Sequence, residues 1–182
     1  VDVRGGARTF ADGVRSVRVD HRVEALAERD EPVHEPLGTL DVHVVVATGS
    51  AKHPPTTPPV SEQDPRSWWD ALVAACEQLG DHRRDVVGIA VAGQQHGLVL
   101  LDAAGEPVRP AKLWNDTTSA PNAERLVARF GSGRWAAATG SVPVASFTVT
   151  KLAWMAEHEP EVLARATQLM LPHDYLTWRL TG

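Results

Sequence analysis

VVGIAVAGQQHGLVLLDAAGEPVRPAKLWND, residues 86–116, is the stretch on which the fold turns. An apolar run from Val86 to Ala92 ends at Gly93, and Gln94, Gln95 and His96 follow. After Gly97 a second apolar run, Leu98 to Leu101, leads away. Short continuous apolar runs bounded by turn residues read as buried strands. A glycine on each side lets the backbone bend and lets a ligand come close. The stretch therefore predicts a polar cluster at the end of a buried strand, where ligands of open α/β sheets sit.

Downstream, Leu98–Leu101 and Val108–Leu113 flank DAAGEP, an Asp/Gly/Pro cluster that predicts a hairpin loop. The second arm of that hairpin runs into Trp114, Asn115 and Asp116. Because hairpin ends lie close together, Asn115 and Asp116 are expected near Gln95 and His96.

Upstream, Asp64 predicts a helix N-cap, Pro65 suits the first helical position, and Gly80 predicts the stop. Trp68, Trp69, Leu72, Val73, Cys76 and Leu79 recur at helical spacing, which favours core packing over ligand stacking for the tryptophans. Cys76 on that stripe is expected to be buried and inert. His53–Val60, HPPTTPPV, reads as an extended surface connection, since its prolines remove donors and fix φ. Val42–Thr48 is β-branched and predicts a strand. Residues 1–41 are dense in Arg, Asp and His and show no alternation long enough for a strand. A short helix over 21–30 is the most that helical spacing of Val23, Leu26 and Ala27 suggests there.

Toward the C-terminus, 118–130 predicts a helix with Leu126, Val127 and Phe130 inward, and Trp135–Ala138 a helical turn closed by Gly140. Thr148–His158 and Glu161–Ala166 read as helices, Gln168–Leu171 as a short buried strand, and Pro172–Leu180 as a helix. Mixed strands and helices around a hairpin predict a layered α/β domain.

Composition narrows the function classes. The chain of 182 residues is 43% hydrophobic and 23% charged, as in globular domains. A net charge of -5 and a pI near 5.9 give no sign of a nucleic-acid or acidic-membrane partner. No apolar run approaches the ~20 residues that span a bilayer, and no signal-peptide h-region opens the sequence. With Cys76 alone, neither an internal disulfide nor a zinc cluster is expected, which fits a reducing cytoplasm.

The runs SEQDPRSWWDAL, GIAVAGQQHGLVLLD, RPAKLWND, TKLAWMAEHEPEV and LMLPHDYLTWRLTG, in this order, resemble the N-terminal half of the FGGY carbohydrate kinases, and among them are most similar to the xylulokinases. The resemblance spans about Val44 to Gly182. It implies an α/β, actin-like ATPase (ribonuclease-H-like) fold, here an incomplete N-terminal domain, with the active site in a cleft against a second domain. It implies phosphoryl transfer from ATP, with Mg²⁺, to a sugar hydroxyl, and D-xylulose as the sugar. It assigns substrate binding to Gln95 and His96. The chemistry suits them: an imidazole supplies a donor and an acceptor, a Gln amide supplies both, and an unsatisfied buried hydroxyl costs ~1–3 kcal/mol. Many relatives carry Met where Gln95 stands. Asn115 and Asp116 either extend the sugar network or, for Asp116, cap the following helix. Another sugar or polyol of the family, or sugar binding without catalysis, are the rival readings. A homodimer stays open.

Two departures accompany the resemblance. The family opens with a strand and hairpin carrying an Asp-x-Gly-Thr/Ser phosphate motif followed by Lys. The nearest string here, Pro36-Leu37-Gly38-Thr39, lacks the Asp and the Lys. Residues 1–43 are therefore expected to be atypical for the family and 44–182 to form the partial sugar-kinase domain. The family's catalytic aspartate and second domain are expected beyond residue 182, so no catalytic base is assigned in this chain and these residues alone are expected to be inactive. Asp174, early in a helix, is expected to favour the helix dipole rather than to act as a base.

Overall fold

A computed structural model of the chain describes residues 17–22 and 43–182. Its strands are β1 (Val17–Arg22), β2 (His43–Gly49), β3 (Glu62–Gln63), β4 (Val99–Leu101), β5 (Ala111–Lys112) and β6 (Gln168–Met170). Its α-helices are α1 (Pro65–Glu77), α2 (Ala120–Phe130), α3 (Ser132–Thr139), α4 (Thr148–His158), α5 (Pro160–Arg165) and α6 (Pro172–Thr181).

The centre of the fold is β4, and period-two alternation decides what lies on each side of it. Val99 and Leu101 are completely buried with Trp68 and Leu72 of α1 and Tyr175 and Leu176 of α6. Leu98 and Leu100 point the other way, to Met155 of α4, with Leu152, Val162 and Leu163 around them. A single three-residue strand thus ties two helical layers together. Burying each Leu or Val there stabilises by about 1.5–3 kcal/mol.

Pairing joins the sequence-distant pieces. β4 runs antiparallel to β6, with Val99 opposite Met170 and Leu101 opposite Gln168. β3 runs antiparallel to β5, with Glu62 opposite Lys112. A bridge between Leu98 and Lys112 connects β4 to β5. β1 and β2 form an antiparallel pair from Val17–Gly49 to Arg22–His43, with a register shift at Val19/Asp20.

Helix α1 starts as its sequence predicts: the Asp64 carboxylate accepts from the Arg66 N–H at 3.0 Å and Pro65 occupies the first turn. The helix ends at Glu77, and Gly80, at φ +58°, opens a 3₁₀ segment that runs to Asp85. Trp68 is buried edge-on to Tyr175, with ring centroids 6.2 Å apart, and Trp69 lies under the Arg179 guanidinium. Both tryptophans pack, as their helical spacing implies.

Four sequence readings are corrected. Val86–Ala92 is not a buried strand: the segment carries no ladder, Ile89 is 56% exposed and Val87 fully so. An apolar run becomes a strand only when a neighbour pairs with it, and among the described residues none does. β6 is exposed at Gln168 and Leu169 because it lies on the outer side of β4. On α2 the buried residues are Asn122 and Ala123; Leu126 and Val127 are half-buried and Phe130 is exposed, where it meets Trp135 of α3 edge-on. β1 falls in a region read as strandless, where Val17, Val19 and the polar residues between them do alternate. The helix suggested over 21–30 begins inside β1, and its remainder lies outside the described residues.

Candidate functional site

The Gln94–Gly97 turn sits at the N-terminal edge of β4 and is held from three directions. The Gln94 carbonyl oxygen lies 3.0 Å from Nδ1 of His173 on α6. The Gln94 side-chain oxygen accepts from the Trp114 N–H at 3.4 Å. The Gly97 carbonyl accepts from the Thr148 hydroxyl of α4 at 3.0 Å, and the Leu98 N–H donates to the Lys112 carbonyl at 2.8 Å. Gly97 has no room for a side chain, because a Cβ would sit 2.7 Å from Pro172 Cγ and 3.2 Å from the Lys112 carbonyl oxygen. Its smallness serves the seating of α6.

These anchors leave Gln95 and His96 exposed. The His96 ring is not free to wander, since it stacks on Phe147 with centroids 4.5 Å apart and planes 12° from parallel. Phe147 in turn is the residue before α4, and its carbonyl accepts from the Thr150 N–H at 3.1 Å and the Thr150 hydroxyl at 2.7 Å. The outcome is an oriented imidazole at the surface, flanked by an amide: donor and acceptor groups on fixed supports.

The hairpin brings its second arm to the same edge, as the Gln94–Trp114 bond shows. Its loop is tied by the Asp102 carboxylate, which accepts from the N–H groups of Ala104 at 2.9 Å and Glu106 at 3.0 Å. The two arms, however, pair mainly elsewhere, β4 with β6 and β5 with β3. Beyond Trp114 the residues diverge. Asp116 is completely buried. One carboxylate oxygen accepts from the Ser61 N–H at 2.9 Å, and the other from the Thr118 N–H at 3.1 Å and from the Thr118 hydroxyl. Lys112 Nζ approaches that second oxygen at 3.4 Å. Asp116 therefore ties β5 to the segment before β3, and its Thr118 bonds make it a turn-forming residue ahead of α2. Asn115 is half-buried, and its Oδ1 has no hydrogen-bond partner among the described residues. It faces a cavity formed with residues 50–58.

Lys112, Glu62, Arg109 and Glu159 make a chain of ion pairs beside this arm. Lys112 lies 2.9 Å from Glu62, Arg109 bonds Glu62 and lies 2.7 Å from Glu159, and Lys112 sits 3.9 Å over the Trp154 ring. Lys151, fully buried, donates to the carbonyls of Ala145 at 2.8 Å and Asp116 at 3.2 Å. Burial pushes its ammonium down to about 8, against the pull of Asp116, with Lys112 adding repulsion. Cys76, expected to be buried, is only half-buried, packed against the edge of the α1–α6 core; that partial burial still raises its thiol. Asp174 acts as a cap: its carboxylate accepts from the Leu171 N–H at 3.2 Å.

Phe147, His173 and Trp114 belong to this site and were not singled out for it in the sequence. Phe147 reads as an ordinary core aromatic at the start of a helix, and nothing in its spacing marks a partner fifty-one positions back. His173 carries a local signal only: a polar residue just inside a Pro-initiated helix. Among the described residues no three His, Cys, Asp or Glu side chains converge as a metal site, and no residue among them is assigned to a nucleotide. Among the described residues, too, no helix is long and apolar enough to cross a membrane.

Comparison with known proteins gives consistent matches. The FGGY family of carbohydrate kinases, N-terminal domain, matches residues 43–182. The xylulose kinase of Streptomyces rubiginosus is 56% identical over 139 residues, which is 76% of this chain and 29% of that protein. The crystal structure of xylulose kinase from Bifidobacterium adolescentis superposes with a TM-score of 0.69 at 45% identity, over 75% of this chain and 29% of that one. Plasmodium falciparum glycerol kinase, solved with ADP, shares the fold at a TM-score of 0.64 and 20% identity, over 76% of this chain and 30% of that one. The chain spans less than a third of the length of these proteins.

Proposed function

The chain belongs to the FGGY family of carbohydrate kinases, and from that premise we propose that it supplies the sugar-gripping wall of an enzyme that phosphorylates D-xylulose to D-xylulose 5-phosphate with ATP. Its fold is the N-terminal part of the actin-like ATPase fold. On this reading residues 44–182 are the partial sugar-kinase domain. Nucleotide, Mg²⁺ and catalytic base are met by parts of the enzyme other than the described residues, and no step of the chemistry is assigned here to any of them.

The observation that carries the reading is His96 held flat on Phe147 and open to solvent beside Gln95. In phosphoryl transfer to an alcohol, positioning of the acceptor supplies much of the rate, since the protein does little covalent chemistry. A sugar hydroxyl held by an imidazole whose rotation is already restricted loses less entropy on binding than one held by a free side chain. Gln95 adds a second bidirectional partner. Asp116 acts one step back: fully occupied by Ser61 and Thr118, it fixes the arm that carries Trp114 and Asn115.

The choice of D-xylulose is supported by the names of the relatives that match at high identity. The test is steady-state phosphorylation of D-xylulose, D-ribulose, gluconate and glycerol by the protein that carries these residues, as wild type and His96→Ala. D-Xylulose should give the highest kcat/KM, and His96→Ala should raise its KM about tenfold. An unchanged KM places the sugar elsewhere.

A further inference from the structure

We propose that Lys151 is a positioning residue for the sugar grip, holding the two supports of the Gln94–Gly97 turn in one fixed relation. The supports are Phe147, on which His96 stacks, and Trp114, whose N–H bonds the Gln94 side chain. They lie on different pieces of the chain, the lead-in to α4 and the arm after β5. Lys151 is fully buried and reaches both pieces. Its backbone N–H donates to the Phe147 carbonyl at 3.4 Å. Its Nζ donates to the Asp116 carbonyl at 3.2 Å, on the Trp114 arm, and to the Ala145 carbonyl at 2.8 Å, just ahead of Phe147.

The residue type fits that task. A lysine has a long stem and several donors at its tip, so one side chain can serve carbonyls of two segments at once. Its partners are those carbonyls and not the Asp116 carboxylate, which is taken by the Ser61 and Thr118 N–H groups and approached by Lys112. A buried ammonium is costly, and burial draws this one down to about 8. The two carbonyls are not equal. That of Ala145 also accepts from the Ser119 and Thr150 hydroxyls, at 3.0 and 3.1 Å, so the Phe147 side stays anchored without the lysine. That of Asp116 is held by Nζ. Loss of the side chain therefore parts the arm from the α4 lead-in. The slack passes through Trp114 to Gln94, and so to Gln95 and His96, while Phe147 stays in place. The consequence for catalysis rests on the sugar-kinase reading; the bridge itself does not.

The experiment compares wild type, Lys151→Met and Leu72→Ala in the protein that carries these residues. Leu72 is a core residue of α1 and serves as the control for general loosening. With D-xylulose, Lys151→Met should raise KM about tenfold with kcat within about twofold, and Leu72→Ala should keep the wild-type KM. Two further readouts need no sugar. The His96 ring protons, shielded by the Phe147 ring they lie over, should move toward their unstacked NMR positions in Lys151→Met and not in Leu72→Ala. Amide exchange at Trp114 and Gln95 should speed up more than at Val99–Leu101. Where Lys151→Met fails to fold, Lys151→Gln takes its place: its stem is one bond shorter, so it should keep the nearer Ala145 bond, lose the Asp116 one and give the same three results. An equal KM rise in Leu72→Ala, or unchanged His96 signals and exchange rates in the lysine variant, overturns the proposal. His96→Ala separates the two readings. If it raises KM while the lysine variant leaves KM as in wild type, the grip at His96 stands and this proposal falls. If it leaves KM unchanged while the lysine variant still frees the His96 ring, the bridge stands and the sugar-site reading falls.

Discussion

His96 and Phe147 lie ring on ring, 4.5 Å between centroids and 12° from parallel. A stacked pair of this kind contributes about 0.5–1.5 kcal/mol beyond its buried area. At an exposed position that energy goes into restricting rotation, so its loss should appear in sugar binding more than in stability. Phe147→Ala is expected to raise KM for the sugar several-fold with kcat little changed, and Phe147→Tyr to keep wild-type KM. Steady-state kinetics of the two variants, with thermal melts alongside, check this; equal KM for Phe147→Ala and wild type would show that the ring does not hold the imidazole.

His173 acts on the same turn from the opposite side. Its Nδ1 is 3.0 Å from the Gln94 carbonyl and its Nε2 is 3.0 Å from the Asp174 carboxylate. Cutting that link should loosen the backbone that carries Gln95 and His96. His173→Ala is expected to speed amide hydrogen exchange at Gln95 and His96, with a smaller effect at Val99–Leu101, which the core protects. The same exchange at both sites would mean that α6 as a whole had come loose.

What could be read from the residues, and what could not, divides along a physical line. α1, α4 and α6 are carried by local signals: Asp64 and Pro65, the stripe from Trp68 to Leu79, and Pro172. These depend on a few neighbouring residues, and the structure agrees. Val86–Ala92 has the apolar composition of a strand, but a strand also needs a partner, and pairing is not a local property. Asp116 shows the same limit at the site. The sequence leaves it between sugar network and helix cap; the Ser61 N–H, fifty-five positions away, occupies one of its oxygens. Gly97 reads as room for a ligand, whereas Pro172 fills that room. In each case a long-range contact settled what spacing left open.

That contact makes Gly97 testable. A methyl group would approach Pro172 Cγ at 2.7 Å and the Lys112 carbonyl at 3.2 Å, and backbone cannot yield as a flexible side chain does. Gly97→Ala should cost about 1–3 kcal/mol in denaturant unfolding. Pairing it with Pro172→Ala should recover part of the loss. If the double variant is as unstable as the sum of the two single ones, the contact is not the cause.

Lys112 offers a larger effect. It is buried between Glu62 at 2.9 Å and the Thr118 hydroxyl at 2.9 Å, beneath the Trp154 ring. Removing one partner of a buried pair leaves the other charge desolvated, typically at about 3–5 kcal/mol. Lys112→Met should destabilise by an amount of that order, chiefly through the fully buried Asp116; because Glu62 keeps Arg109 as a partner, adding Glu62→Gln should return only a small part of it. A double-mutant cycle by urea unfolding measures the coupling; a coupling near zero would mean that water already screens the pair.

Lys151 gives stability a pH dependence whose sign can be worked out. Burial lowers its folded-state pKa from the ordinary 10.5 to about 8, opposed by the Asp116 charge and assisted by Lys112. Below pH 8 the amine is charged in both folded and unfolded chains, and the folded state bears the full cost of the buried charge. Between about 8 and 10.5 the unfolded chain binds the proton and the folded chain does not, so stability rises with pH, by at most about 1.4 kcal/mol per pH unit from this group. The neutral amine still has donors for both the Ala145 and Asp116 carbonyls, so deprotonation sacrifices neither bond. Lys151→Met removes the titration and, at every pH, the bond to the Asp116 carbonyl, while the Ala145 carbonyl keeps the Ser119 and Thr150 hydroxyls. Wild type should therefore gain on Lys151→Met as the buffer goes from pH 7.5 to 9.5, other titrations being shared by the two proteins. Urea unfolding of both at the two pH values checks this. A constant gap would show that Lys151 keeps an ordinary pKa, and that its ammonium is reached by water despite its place between α4 and the Asp116 turn.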